Sequence, residues 1–309
     1  MRILNNAEDD MIEAEWIAVD WGTSHLRAWA MQDGAPLATG DSTKGMGRLA
    51  PDEFEPALLE VIGGWLKDGG TDVICCGMVG ARQGWQEAPY SAVPTKPSEL
   101  PPIFTVSQDP RISVHILPGL RQDNPADVMR GEETQIAGFI AQNPNWDGVL
   151  CLPGTHTKWA HVSAGEVVSF RTFMTGEMFA LLSSQSVLRH SVTGDGWDND
   201  AFLAAVSDAM SHPDRIAARL FSLRAEDLLH GQGAEVARAT LSGLLVGAEL
   251  SAARPFWLGQ QVALIGSGAT APIYGAALKA QGVPTRTEDV ARMTLAGLTA
   301  AYIRLKETE

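Results

Sequence analysis

Trp16 to Asp20 (WIAVD) is a short apolar run that ends in a carboxylate, Trp21-Gly22-Thr23-Ser24 are turn residues, and Leu26 to Met31 is a second strand-like run. The pattern predicts a hairpin with a Gly-Thr-Ser corner. A third strand is expected over Pro36 to Gly40. Between Pro51 and Leu66, the residues Phe54, Leu58, Leu59, Ile62 and Trp65 share one face at helical spacing. Buried strands are predicted at Val73 to Cys76 and Ser113 to Leu117. Between them lies a Gly- and Pro-rich stretch, Gly77 to Pro102, too long to be a plain connector. Gly131 to Ala141 can form a helix, and Asn143-Pro144-Asn145 ends it.

Past that stop the opening pattern returns. Val149 to Leu152 runs into Pro153-Gly154-Thr155, a hairpin follows over Trp159 to Val162 and Val167 to Phe170, and a helix begins near Gly176. The remainder reads mostly as helices, at Asp200 to Met210, Pro213 to Leu220 and Ala234 to Ala253, the last with a small-residue face of Gly243, Gly247 and Ser251. A strand at Val262 to Ile265 then enters the turn Gly266-Ser267-Gly268-Ala269 and a helix from Pro272 to Gln281. Two Gly-Thr hairpins, each heading about half the chain, predict duplicated lobes that face one another. The expected division is an N-terminal extension over residues 1–15, an N-terminal lobe over 16–145 and a C-terminal lobe over 146–309.

A chain of 309 residues, 45% hydrophobic and 19% charged, suits two globular domains. Its 23 basic and 37 acidic residues leave a net charge of −14, which repels nucleic acid and anionic lipid. Any bound phosphate therefore needs backbone N–H groups and a few placed cations. Acidic residues stand among the first sixteen positions, where a signal peptide would be apolar, and no later stretch has the length of a membrane span. A cytoplasmic protein without membrane or nucleic-acid partners is expected. Cys75, Cys76 and Cys151 form no CxxC pair and read as small buried hydrophobes near strand ends, not as a disulfide or zinc framework.

Three loops carry candidate chemistry. Asp20-Trp21-Gly22-Thr23-Ser24-His25-Leu26-Arg27 resembles the first phosphate motif of the actin-like sugar kinases. Gly22 lets a hairpin backbone reach phosphates, the hydroxyls of Thr23 and Ser24 can donate to them, Asp20 can hold a hydrated Mg²⁺, and Arg27 can supply a cation to the transferring phosphoryl group. Pro153-Gly154-Thr155-His156-Thr157-Lys158 takes the place of the second phosphate loop, with Gly154, Thr155 and Lys158 as its phosphate-binding residues and Pro153 where the pattern usually has an acid. Gly266, Ser267, Gly268 and Ala269 resemble the adenosine motif, and the preceding helix, Leu241 to Ala253, resembles the helix that couples nucleotide to domain closure. No Walker-type Gly-x-x-x-x-Gly-Lys-Ser/Thr occurs, which argues against a P-loop kinase.

The order of longer motifs narrows the resemblance. Gly77-Met78-Val79-Gly80, Gly84-Trp85, Ala88-Pro89-Tyr90, Val128 to Gln135 (VMRGEETQ), Pro153 to Trp159 and Phe173 to Glu177 (FMTGE) are similar to the 2-dehydro-3-deoxygalactonokinases over residues 16 to 302. That resemblance implies a two-lobed α/β fold of the actin-like ATPase (ribonuclease H-like) kind with a central interdomain cleft. It also implies phosphorylation of 2-dehydro-3-deoxy-D-galactonate at its 6-hydroxyl by MgATP, in galactonate breakdown.

Transfer of a phosphoryl group asks the protein to align a hydroxyl, spread negative charge and accept one proton. Gly131-Glu132-Glu133 stands where glycerol-kinase-like relatives carry Gly-Asp-Gln with a basic Asp, so Glu132 is the first candidate base and Glu133 the second, with Asp20 the remaining alternative. Both Glu residues also suit a helix N-terminus. A sugar acid needs cations and neutral donors, for which Arg130, Arg171 and Lys158 are available, with Gly77, Met78, Val79 and Gly80 giving close backbone approach. Trp85 and Tyr90 suit a pocket wall and core packing equally. Thr175 and Glu177 can bind hydroxyls or serve as N-cap and first-turn acid of the next helix. Three alternatives remain open: a kinase of this fold for another sugar or sugar acid, a nucleotide-dependent regulatory or assembly protein, and a binding protein without turnover. A homodimer is compatible with the sequence, and preference at C4 of the sugar acid is not legible in it.

Overall fold

The computed structural model describes residues 12–266, 268 and 270–308. The chain opens with β1 (Trp16–Trp21), β2 (Leu26–Gln32), β3 (Ala35–Ser42), α1 (Phe54–Ile62) and β4 (Thr71–Gly77). β5 (Ser91–Ala92), β6 (Ile103–Thr105), β7 (Ile112–Ile116), β8 (Leu120–Asp123), β9 (Ala126–Met129) and α2 (Glu132–Gln142) complete the first half. The second half repeats a hairpin start with β10 (Gly148–Leu152), β11 (Thr157–Ser163) and β12 (Glu166–Phe173), then α3 (Thr175–Ser184), α4 (Asn199–Ser211), α5 (Ile216–His230), α6 (Ala234–Ala252) and α7 (Arg254–Trp257). It closes with β13 (Val262–Ile265), α8 (Thr270–Ala280), β14 (Thr285–Glu288) and α9 (Val290–Thr308).

The two large sheets have the same plan. One runs β3-β2-β1-β4-β7 with β6 added at its edge, the other β12-β11-β10-β13-β14. In each, three antiparallel strands are followed by two parallel ones. This is the ribonuclease H-like sheet used twice, the architecture of the actin-like ATPases. Strand alternation sorts the core. Ile17, Val19 and Trp21 pack with α1 on one face of the first sheet, while Trp16 and Ala18 turn to the other face with Leu298 of α9. In the second sheet Val149 and Cys151 join α4, α6 and α8, while Leu150 and Leu152 pack on Ile136 and Phe139 of α2.

Two helices link the halves by crossing over. α2 leaves the first half and lies on the second sheet; α9 leaves the second and lies on the first. They meet at Gly138 and Gly297, where an added Cβ would fall 2.0 Å from the Met293 carbonyl oxygen and 1.9 Å from that of Thr134. The small face expected on Ala234 to Ala253 does similar duty: a Cβ on Gly243 would lie 2.4 Å from the Phe202 carbonyl oxygen, so α4 seats directly on α6.

The structure departs from expectation in a few places. Residues 1–11 lie outside the described residues, but Ala14 is buried and Glu15 donates its N–H to the Met31 carbonyl, so the end of the expected extension is part of the first sheet's packing. The helix expected from Pro213 to Leu220 starts as a 3-10 turn and runs on to His230, where Gly231 ends it at φ 65°. All three cysteines are buried and free.

Candidate active site

Asp20 is the penultimate residue of β1, on the face that Trp16 and Ala18 turn toward α9. Register places Arg27 directly opposite on β2, and the pair joins Arg27 Nη2 to Asp20 Oδ2 at 2.6 Å. On the other side β4 brings Cys76 beside Asp20 and Gly77 beside Trp21. Gly77 has φ 90°, and a Cβ there would lie 2.8 Å from the Trp21 carbonyl oxygen, so only glycine lets β4 close on the loop. The tip Thr23-Ser24-His25 is exposed. It is braced from behind by N–H groups of Met46 and Gly47, which donate to the carbonyls of Gly22 and Thr23, and by Trp21 Nε1, which donates to the Lys44 carbonyl.

The second hairpin copies this plan with altered chemistry. Leu152 stands opposite Lys158 as Asp20 stands opposite Arg27. The residue in the acid's place is thus Leu152, not Pro153 as the motif alignment suggests. Lys158 has no carboxylate in its own hairpin and reaches instead to α2, where its Nζ lies 2.9 Å from Glu132 Oε1. The Lys158 side chain is 5% exposed and that of Glu132 23%. The exposed tip at Gly154 and Thr155 rests on the start of α3: Glu177 donates its N–H to the Thr155 carbonyl, and a Cβ on Gly176 would lie 2.2 Å from the Gly154 carbonyl oxygen.

The two glutamates at the start of α2 differ sharply. Glu132 accepts from the Arg130 N–H at 3.1 Å and faces Lys158. Glu133 is 2% exposed and folds back so that the Gly131 N–H donates to both its oxygens, with the Thr134 hydroxyl donating to Oε1. Burial, reinforced by the charge of Glu132, pushes its pKa up to about 8. Arg130 staples the loop after β4: its Nη2 donates to the Ala88 carbonyl at 2.7 Å and its guanidinium lies 4.3 Å from the centre of the Tyr90 ring. Its Nε and Nη1 are buried without a partner.

Beside the second hairpin opens a cavity of about 750 Å³, within the size of small-molecule sites. Gly154 and Thr155, the α3 residues Thr175 and Phe179, Arg238 and Ser242 of α6, and Thr270 and Tyr274 of α8 line it, with Asp195 and Trp197 at its rim.

A family model described as 2-keto-3-deoxy-galactonokinase matches residues 20–301. The chain belongs to the 2-keto-3-deoxy-galactonokinase family. Among its relatives, the Rhizobium meliloti (strain 1021) protein named "Probable 2-dehydro-3-deoxygalactonokinase DgoK1" is 40% identical over 293 residues, 93% of this chain and 96% of the relative. The Escherichia coli (strain K12) 2-dehydro-3-deoxygalactonokinase is 35% identical over 272 residues, 87% and 91% of the two chains. A crystal structure from Sinorhizobium meliloti bearing the same family name superposes with a TM-score of 0.87 at 38% identity, covering 94% of this chain and 99% of that one. As a member of this galactonokinase family, the protein is a carbohydrate kinase.

In this galactonokinase-family chain the residues singled out from sequence sort by place. Asp20, Arg27, Gly77, Gly131 and Glu132 converge where the ends of β1 and β4 meet the start of α2, and a Cβ on Gly131 would come 3.5 Å from Gly77 Cα. Val79 and Gly80 are buried in the turn after β4, with Met78 half-buried. Trp85 packs on Trp21 and Phe54 and is part of the core. Arg171 is exposed on β12. Thr175 is the first residue of α3, not its N-cap, which is Met174; it belongs to the cavity wall. Glu177 pairs with His156 at 2.6 Å. Gly266 and Gly268 lie before α8, while Ser267 and Ala269 lie outside the described residues. The residues missed from sequence are the brace at Lys44 to Gly47 and the cavity residues Phe179, Trp197, Arg238 and Tyr274. A Gly-x-Gly at Gly45 and Gly47 was the only signal for the first, since a Cβ on Gly45 would lie 2.3 Å from the Ser24 backbone.

Proposed function

We propose that this kinase phosphorylates 2-dehydro-3-deoxy-D-galactonate at its 6-hydroxyl with MgATP, in the cytoplasm, and that the cleft between the two hairpins is where transfer occurs. The observation that carries this is the Lys158 to Glu132 pair. The second hairpin's cation lies on a carboxylate of α2, and Gly131 at the start of that helix packs on Gly77, which borders Asp20 of the first hairpin; this supports one site for the two exposed phosphate-type loops and the acid. Relatives named for this activity cover nearly the whole chain.

In this reading the tips Gly22-Thr23-Ser24 and Gly154-Thr155 hold the phosphates. The nucleoside occupies the adjacent cavity, with Gly266 to Ala269 at its edge. Arg27 and Lys158 balance charge on the phosphates when the lobes, divided near residue 145, close on them. Glu132 accepts the proton of the 6-hydroxyl, and Lys158, 2.9 Å away, orients its carboxylate. Glu133, neutral near pH 7 and turned away, shapes the helix start. The turn Gly77 to Gly80, Tyr90 and Arg130 form the sugar-acid side, and the unpartnered Nε and Nη1 of Arg130 are donors that the substrate carboxylate can satisfy.

No group of three or more His, Cys, Asp and Glu suited to a metal occurs among the described residues. Asp20, with one oxygen on Arg27 and the Cys76 thiol 3.9 Å from the other, fits an ion that arrives on the nucleotide phosphates and keeps most of its waters. Mg²⁺ bound there would neutralise charge between the phosphates.

Glu132→Gln and Glu133→Gln, compared in steady-state kinetics, test the assignment. Glu132→Gln should lower kcat by about 100-fold or more with a modest change in KM for ATP, and Glu133→Gln should do far less. A larger kcat loss in Glu133→Gln would overturn it.

A further inference from the structure

Glu249 is a carboxylate in the last turn of α6, 3% exposed, that does not itself line the cavity but bonds to residues that do. Its Oε1 accepts from Trp159 Nε1 at 2.8 Å and its Oε2 from the Tyr274 hydroxyl at 2.7 Å. The Thr175 side chain also hydrogen-bonds it. Tyr274 in turn lies 3.0 Å from the Thr157 hydroxyl, which completes a buried chain from α6 through α8 to β11. With the Tyr274 proton directed at Glu249, the Thr157 hydroxyl is the donor in that second bond.

A core served only by packing would be better filled by a leucine, because a buried carboxylate carries a desolvation penalty that its hydrogen bonds must offset. Directional bonds instead fix how elements are rotated against each other. Thr157 and Trp159 lie on one face of β11, held by this network, and Lys158 between them points to the opposite face and to Glu132. Register of β11 therefore decides both the position of the Gly154-Thr155 tip and the reach of Lys158. Two of Glu249's partners, Tyr274 and Thr175, are cavity wall.

We propose that Glu249 is a positioning residue for the nucleotide: it locks Tyr274 and Thr175 into the cavity wall and β11 into the register that presents the second phosphate loop. The inference rests on the cavity being the nucleotide site. Burial raises the Glu249 pKa while its three donors favour the carboxylate, so the network is fully formed only with all of them in place.

The test uses the full chain with Glu249→Met, Glu249→Gln and Tyr274→Phe, measuring ADP affinity by calorimetry, KM for ATP and for the sugar acid, and Tm. Glu249→Met should weaken ADP binding and raise KM for ATP by about tenfold or more, with KM for the sugar acid changed less. Glu249→Gln should recover most of the loss, since its amide keeps an acceptor for Trp159 and offers a donor to the Tyr274 oxygen. Tyr274→Phe should show an intermediate loss, and adding it to Glu249→Met should cost little more. A Glu249→Met protein that binds ADP like wild type while only its Tm falls overturns the proposal, as does a Glu249→Gln protein as weak as Glu249→Met. If Glu249→Met does not fold, wild-type ADP affinity in Tyr274→Phe overturns it. A wild-type chain that phosphorylates the sugar acid while Glu249→Met matches it removes Glu249's role alone; a wild-type chain that binds no ADP overturns the cavity reading and this inference with it.

Discussion

Replacing Glu133 with Gln should flatten the pH dependence of stability above about pH 5, and the size of the effect follows from the site. The carboxyl is buried, and burial first, then the charge of Glu132, lifts its pKa from an ordinary 4.5 to about 8 against the pull of the Gly131 N–H. Below pH 4.5 the group is protonated in both folded and unfolded chains and has no effect on the balance. Between 4.5 and 8 the folded chain holds a proton that the unfolded chain has released, so stability falls as pH rises, and above 8 the full penalty is present. At about 1.4 kcal/mol per pH unit, the window sets a ceiling of about 5 kcal/mol, with relaxation of the helix start reducing it. Gln is neutral throughout and keeps an acceptor for the Gly131 N–H and the Thr134 hydroxyl. Reversible urea unfolding of both proteins at pH 5, 6.5 and 8.5 should therefore show Glu133→Gln gaining about 2–4 kcal/mol on wild type across the range. Other titrating groups cancel in that difference. Parallel profiles, or a variant that loses ground as pH rises, would mean that Glu133 does not hold its proton in the folded chain near pH 7.

Asp20→Ala should abolish turnover yet shift Tm little, because its pair with Arg27 is partly exposed and such pairs are worth about 0–1 kcal/mol; kinetics beside a melting curve checks both. Lys158→Met should lower kcat at least about tenfold, since it leaves Glu132 without its cation, and activity near wild type would remove Lys158 from the site. Gly297→Ala should destabilise the fold by about 1–3 kcal/mol or more, as its Cβ would sit 1.9 Å from the Thr134 carbonyl oxygen, whereas Gly154→Ala, with open space around it, should leave Tm unchanged.

The hairpins were legible because their signals are local. Short continuous apolar runs closing at Asp20 and Leu152, each followed by Gly-Thr, specify a strand, a corner and a returning strand without help from the rest of the chain. The strand Val262 to Ile265 was read to the residue for the same reason: four apolar positions are closed by a glycine turn. Edge elements were not legible. β14 (TRTE) has no apolar run and owes its pairing to β13, and α9 shows a helical face only once Trp16 and Trp29 are known to receive it. The site divided along the same line. Asp20 and Arg27 are seven residues apart and paired by register, but the partners of Lys158 and Glu249 come from distant segments, and no spacing in the sequence announces them. A lone glutamate in the small and apolar stretch Leu244 to Ala252 was the available sign of Glu249.

The proposed reaction moves a phosphoryl group from ATP to the terminal hydroxyl of a 2-keto-3-deoxy sugar acid in this cleft. The most direct measurement is ADP release by the purified protein with MgATP and either 2-dehydro-3-deoxygalactonate or 2-dehydro-3-deoxygluconate, with phosphorus NMR of the product. Turnover is expected with the galactonate derivative, lost in Asp20→Ala, and the product is a phosphomonoester coupled to the C6 protons. No ADP release above the background without sugar acid, or a phosphate on any other oxygen, would contradict it.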